Sequence, residues 1–116
     1  MENAVKEKSF RFAIRIVKLC NFLREKKNET VMSRQLLRCG TSIGANTAES
    51  RFAQSRPDFV SKLSIALKEA AETEFWLRLL HETNYLTQAQ FQSMMQDCDE
   101  LERLLASIVK TTKTNS

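Results

Sequence analysis

Apolar residues along this chain recur at the i, i+3, i+4 spacing of helices, and three polar breaks interrupt the pattern. The breaks read "KKNETVMS" (26–33), "QSRPD" (54–58) and "ETNYLTQ" (82–88). Within them Ser33 and Ser55 stand as helix N-caps, and Pro57 sits at a first-turn position that proline tolerates. Asn84 can end a helix, and Thr87 with Gln90 forms a capping-box pair. The spacing predicts four helices, at about 5–26, 33–54, 57–83 and 87–111, with 112–116 as a disordered tail. Links this short turn each helix back along the one before it. The expected architecture is all-α: a single domain over 1–116, an antiparallel up-down-up-down four-helix bundle.

The helices differ in how far round their circumference the apolar residues extend. In the first, Phe10, Phe12, Ala13, Ile14, Ile16, Val17, Leu19, Cys20, Phe22 and Leu23 leave only a narrow charged stripe of Arg11, Arg15, Lys18 and Lys26. A helix packed on one side needs an apolar arc of roughly 100°. The third helix has a main stripe of Phe59, Leu63, Ala66, Leu67, Ala70, Leu77 and Leu80, and a second face with Ile65, Trp76 and Leu79. The fourth carries one face only, from Phe91 to Ile108, and is expected to lie against solvent. Such a surplus predicts self-association into a homo-oligomer, with Phe12, Ile16, Ile65, Trp76 and Leu79 as candidate interface residues.

Both glycines of the chain lie in the second helix, in "LRCGTSIGANTAES" (37–50). Each costs roughly 0.5–1 kcal/mol relative to alanine inside a helix. On a helical wheel Gly40 and Gly44 fall at the centre of the apolar arc, and Ala48 continues the spacing. Small residues four apart form a groove into which a neighbouring helix can press closely. The alternative, a phosphate-cradling loop, needs Gly-x-x-x-x-Gly-Lys-Ser/Thr after a strand, and that pattern is missing.

Composition narrows the function. Two glycines and one proline in 116 residues suit helices with short links. No apolar run reaches the ~18–20 residues of a membrane span, and the charges among the first twenty residues argue against a secretory signal. The odd number of cysteines, Cys20, Cys39 and Cys98, argues against a disulfide framework and for buried thiols in a cytoplasmic protein with no membrane partner. The lone histidine, His81, has no companions at metal-ligand spacing, so no metal is expected. No two carboxylates are paired in an apolar pocket, no nucleophile has a base at a recognisable spacing, and Glu69 is expected to pair with Lys62 or Lys68. No catalytic residues, cofactors or enzyme activity are expected.

The formal charge of +4 is unevenly spread. Residues 1–57 carry twelve Lys/Arg against five Glu, while residues 58–116 carry six against nine Asp/Glu. Arg11, Arg15, Lys18, Lys26, Lys27, Arg34 and Arg38 could share one surface of the first two helices, and they are the candidate contacts to nucleic-acid phosphates. An ordinary solvated face is the alternative.

"QLLRCGTSIGANTAES" (35–50) followed by "DFVSKLSIALKEAAETEFWLRLL" (58–80) resembles the four-helix-bundle proteins encoded in intervening sequences of bacterial 23S ribosomal RNA genes. That group is similar in turn to the accessory protein of diversity-generating retroelements. The resemblance runs from about residue 9 to 108. Cys39 and Thr47 replace a more usual serine and aliphatic residue. It implies a homopentameric ring and no known catalytic activity. For the retroelement relatives it implies binding of nucleic acid and of a reverse transcriptase. The function expected is therefore non-enzymatic binding of RNA or DNA through a basic surface, with little sequence preference. The alternative is a scaffold for a partner protein, such as a reverse transcriptase or a ribosome-associated factor.

Overall fold

Two asparagines mark sharp reversals of the chain: Asn28 (φ 54°) and Asn84 (φ 70°) both adopt the left-handed conformation that asparagine tolerates better than most residues. The computed structural model describes residues 2–115 and contains four helices, with no strand among the described residues. They are α1 (Glu2–Lys27), α2 (Val31–Ser50), α3 (Arg56–Glu82) and α4 (Gln88–Thr114). Residues expected to form the tail are therefore helical as far as Thr114, and Ser116 lies outside the described residues.

The helix ends follow local chemistry. Ser55 is extended and its hydroxyl accepts the Asp58 N–H at 3.1 Å, with Pro57 in the first turn. Thr87 and Gln90 form the reciprocal capping box. At the end of α3, Tyr85 N–H reaches Leu80 O at 2.9 Å and Asn84 N–H reaches His81 O at 3.1 Å, the Schellman pattern that a left-handed residue permits.

The start of α2 departs from expectation. Ser33 is not its N-cap: it is buried inside the helix, and its hydroxyl donates to Glu29 O. The cap is the Glu29 carboxylate, which accepts the N–H groups of Val31 (3.1 Å), Met32 (3.0 Å) and Ser33 (2.7 Å). A longer side chain placed before the helix thus satisfies three orphan donors, where a serine cap satisfies one. The other end of α2 stops at Ser50, short of residue 54, because 51–53 tighten into i→i−3 bonds ahead of Ser55.

α1 packs on α2, α2 on α3 and α3 on α4, while α4 closes on α1 through a much sparser seam; α1 and α3 lie diagonally, without close backbone approach, and meet through the shared core. Contacts climb one helix as they descend its neighbour. Ser9 and Ile16 lie against Gly44 and Gly40, Glu49 and Arg38 meet Lys62 and Glu72, Ala70 and His81 meet Cys98 and Phe91, and Lys8 and Arg15 meet Glu100 and Asp97. The body measures 47 × 21 × 19 Å.

The core joins Phe12, Ile16, Cys20 and Leu23 of α1 to Leu36 and Ile43 of α2. Leu63, Leu77 and Leu80 of α3 and Leu101 and Leu105 of α4 complete it. Each such apolar side chain stabilises the fold by roughly 1.5–3 kcal/mol. Phe12 (1% exposed) and Ile16 (0%) therefore are core residues, and the interface role expected of them is corrected. The two lie on the stripe that also carries Cys20 and Leu23. The outward apolar residues of α1 are Phe10, Ile14 and Val17. On α3, Ile65 is exposed, Trp76 and Leu79 are half-buried, and Phe75 projects furthest.

Gly40 and Gly44 are where α1 comes closest to α2. A Cβ at Gly40 would sit 2.8–2.9 Å from three carbons of Ile16, and one at Gly44 would sit 3.2 Å from the carbonyl oxygen of Ser9. Ser9, itself 1% exposed, is small enough to let the two backbones meet. Ala48 lies exposed at the rim of this seam.

Candidate nucleic-acid interface

Seven cations of the first two helices were candidates for one basic surface, and cross-helix ion pairs divide them. Arg11 pairs with Glu7 one turn away on α1. Arg15 reaches across the sparse α1–α4 seam, bonding Asp97 and donating to Ser93 Oγ at 2.7 Å and to Ser93 O at 3.3 Å. Arg38 lies against α3, where it bonds Glu72 and, at 3.1 Å, Glu69. Glu72 also accepts the Trp76 Nε1–H at 3.0 Å. These two bonds, Arg38's first, hold the Glu72 carboxyl below its ordinary range, and the Glu72 hydrogen bond raises Arg38. Expectation and structure differ here: Glu69 pairs with Arg38, while Lys62 pairs with Glu49 at 3.1 Å. Arg11, Arg15 and Arg38 are thus partly neutralised within the chain.

The remaining four form no ion pair among the described residues, and all are exposed. Lys18 borders a hollow lined by Phe10, Ala13, Ile14 and Val17. Lys26 and Lys27 occupy the last turn of α1, where cations also complement the helix dipole, and Arg34 lies in the first turn of α2. The link 28–30 keeps those three at one end of the bundle. The α2 N-terminus beside them cannot receive a phosphate on its amides, because Glu29 already occupies those donors.

A second cluster escaped the sequence reading, which paired no carboxylates. Glu74 of α3 and Glu102 of α4 meet, and the Cys98 thiol lies 3.7 Å from Glu102 Oε1. Burial first, then the hydrogen bond and charge of Glu74, push the Glu102 carboxyl up to about 7. Twenty-eight residues separate the two glutamates, so only the α3–α4 register reveals the pair. Among the described residues the cluster holds no accompanying nucleophile except a deactivated thiol. Burial pushes Cys20 up to about 11 and raises Cys39 and Cys98, leaving all three as protonated, unreactive core groups. His81 stacks on Phe91 with ring centroids 4.4 Å apart.

Among the described residues no cluster of His, Cys, Asp or Glu is placed to hold a metal ion. None of the helices is long and apolar enough to cross a membrane.

Comparison with curated proteins gives no match. Among solved structures, the chain is similar to a Bacteroides thetaiotaomicron protein described as of unknown function and from the S23 ribosomal protein family. The two are 56% identical, the likeness covers 94% of this chain and 97% of that one, and the TM-score is 0.93. The model of the 23S rRNA-intervening sequence protein family matches residues 1–107. With four helices in the expected order and a match over nearly its whole length, the chain belongs to the 23S rRNA-intervening sequence protein family.

Proposed function

We propose that this protein is a non-enzymatic, antiparallel up-down-up-down bundle that assembles with copies of itself into a ring and binds RNA or DNA through phosphate contacts. The observation that carries the binding half is the division of cations. Lys26, Lys27 and Arg34 stand exposed and unpaired around the three-residue link, while Arg11, Arg15 and Arg38 are engaged in ion pairs. Three cations on one rigid end present a repeated set of phosphate contacts once several copies lie side by side, and a cytoplasmic nucleic acid is the partner they suit. The ring half is supported by apolar side chains left on the outside of α1 and α3, and its fivefold order comes from the resemblance alone.

The test is retention of labelled RNA and DNA at low ionic strength. Log K is expected to fall linearly with log salt, by about 0.7–0.9 per phosphate engaged. Changing Lys26, Lys27 and Arg34 together to Glu is expected to abolish retention, whereas Arg11→Gln and Arg15→Gln leave the slope unaltered. Absence of retention by the unaltered protein at low salt removes the binding half. A stoichiometric protein partner that survives nuclease and high salt would support the scaffold reading instead.

A further inference from the structure

The inward stripe of α2 changes character along its length. From Leu36 to Ile43 its buried positions are Leu36, Cys39, Gly40 and Ile43; beyond them Thr47 and Ser50, 4% and 7% exposed, make it polar. Thr47 and Ser50 border a cleft of about 380 Å³ at the end of the bundle opposite Lys26, Lys27 and Arg34. Residues of α1, α2 and α3 wall it. Val5 and Leu63 give it an apolar floor, Phe59 supplies a half-buried aromatic ring, and Lys6 and Arg51 bring positive charge. Among the described residues no carboxylate lines it. Its volume falls within the range of small-molecule sites, roughly 300–1,000 Å³.

The polar groups of this cleft are set for an anion that also carries donors. Lys6 and Arg51 form no ion pair among the described residues. The Arg51 guanidinium rests over the ring of the exposed Phe52, 5.5 Å from its centroid, which holds the charge at the rim. The Thr47 and Ser50 hydroxyls donate to Ile43 O (2.8 Å) and Thr47 O (2.6 Å), so their oxygens keep lone pairs for an incoming donor. Free carbonyls at the end of α2 would repel an anion, but those of Ala48, Glu49 and Ser50 accept the N–H groups of Arg51, Phe52 and Ala53. Two cations, two acceptors and an aromatic ring therefore meet in one cleft. We propose that it binds a free nucleoside monophosphate. The phosphate lies on Lys6 and Arg51, ribose hydroxyl or base amino groups donate to Thr47 and Ser50, and the base lies against Phe59. Phosphate alone would leave the ring and both acceptors unused, and a fatty carboxylate would bring no donors for Thr47 and Ser50. The site stands apart from the cations of the proposed nucleic-acid surface and does not depend on them.

Isothermal titration calorimetry of the full chain with each of the common ribonucleoside monophosphates tests this, with the matching nucleosides and inorganic phosphate as comparison ligands. At least one nucleotide is expected to saturate a single site per chain, about tenfold or more tightly than its nucleoside or phosphate. Arg51→Gln, at an exposed position, is expected to weaken that binding by about tenfold while the melting temperature and RNA retention stay unaltered. Thr47→Val keeps the shape of the side chain, removes the acceptor and is expected to weaken binding by about fivefold. Absence of saturable binding by every nucleotide overturns the proposal. Phosphate binding as tightly as the best nucleotide overturns it too, leaving a simple anion site. Full nucleotide affinity in both variants, with the helical signal intact, also overturns it by excluding this cleft.

Discussion

Helix α1 has two seams, and they are built in opposite ways. Against α2 it is close: Ile16 fills the space over Gly40, the Ser9 backbone approaches Gly44, and Cys20 donates to Ser33 O at 3.3 Å. Against α4 it is sparse and polar, held by Arg15 on Asp97 and Ser93 and by Lys8 on Glu100 at 3.0 Å. Shape complementarity sets the first, and long side chains bridging a gap set the second. The contrast explains why cations that look equivalent in the sequence are not. Those facing α3 or α4 become struts, and those at the hairpin end stay available.

The largest expected effect separates the inner face of α1 from its outer face. Phe12→Ala is expected to destabilise the fold by about 3–5 kcal/mol. Phe10→Ala, two residues away, is expected to change monomer stability by no more than about 0.5 kcal/mol. Paired urea melts check both. A comparable loss at Phe10 that does not change with protein concentration would mean that its ring is buried in the monomer. Gly40→Ala comes next. Its new methyl group collides with an Ile16 side chain that has no room to move, so a loss of about 1–3 kcal/mol is expected by the same measurement. Gly44→Leu carries a larger side chain toward the Ser9 backbone and is expected to lower the melting temperature or the oligomer size.

Glu29→Ala removes the three-donor cap of α2 and is expected to cost about 0.5–2 kcal/mol, with the loss concentrated in hydrogen exchange of Val31, Met32 and Ser33. The polar seam should matter less. Arg15→Ala breaks a pair that is about two-fifths exposed on both sides, so a change of about 0–1 kcal/mol, shrinking further in high salt, is expected. An effect above 3 kcal/mol would make that seam a pillar of the fold.

Glu102 has the subtlest consequence. Its folded pKa lies above the ordinary carboxyl value, so between about 4.5 and about 7 the folded chain holds a proton that the unfolded chain releases. Stability from this group is therefore greatest below that window and declines as pH rises through it, levelling off above. Glu102→Gln is expected to flatten this portion of the stability–pH curve, with chemical melts at pH 5 and pH 8 as the measurement. An unchanged slope would mean that the folded chain does not raise the Glu102 carboxyl.

Local signals in the sequence carried well into the structure. Ser55, Thr87 with Gln90, and Asn84 each act within one turn of their own position, so residue type alone reveals their roles. Glu29 was overlooked because a glutamate ahead of a helix resembles an ordinary surface charge until its carboxylate is seen to turn back. For α1, periodicity exposed two apolar faces without saying which one faces inward. Ile16 is distinguished from Ile14 by its place over Gly40, which only the pairing with another helix reveals. The same limit applied to charge. Arg38 with Glu72, Arg15 with Asp97, and Glu74 with Glu102 are all fixed by interhelical register, which no spacing within one helix contains.

The apolar surface outside the bundle is the feature on which the functional account depends. Its direct test is the mass of the unaltered protein by sedimentation equilibrium over a wide range of concentration. The account predicts a discrete multiple of 13.4 kDa that persists on dilution to micromolar chain. A single species of 13.4 kDa at every concentration would contradict it, leaving Phe10 and Phe75 as solvent-exposed rings without a partner.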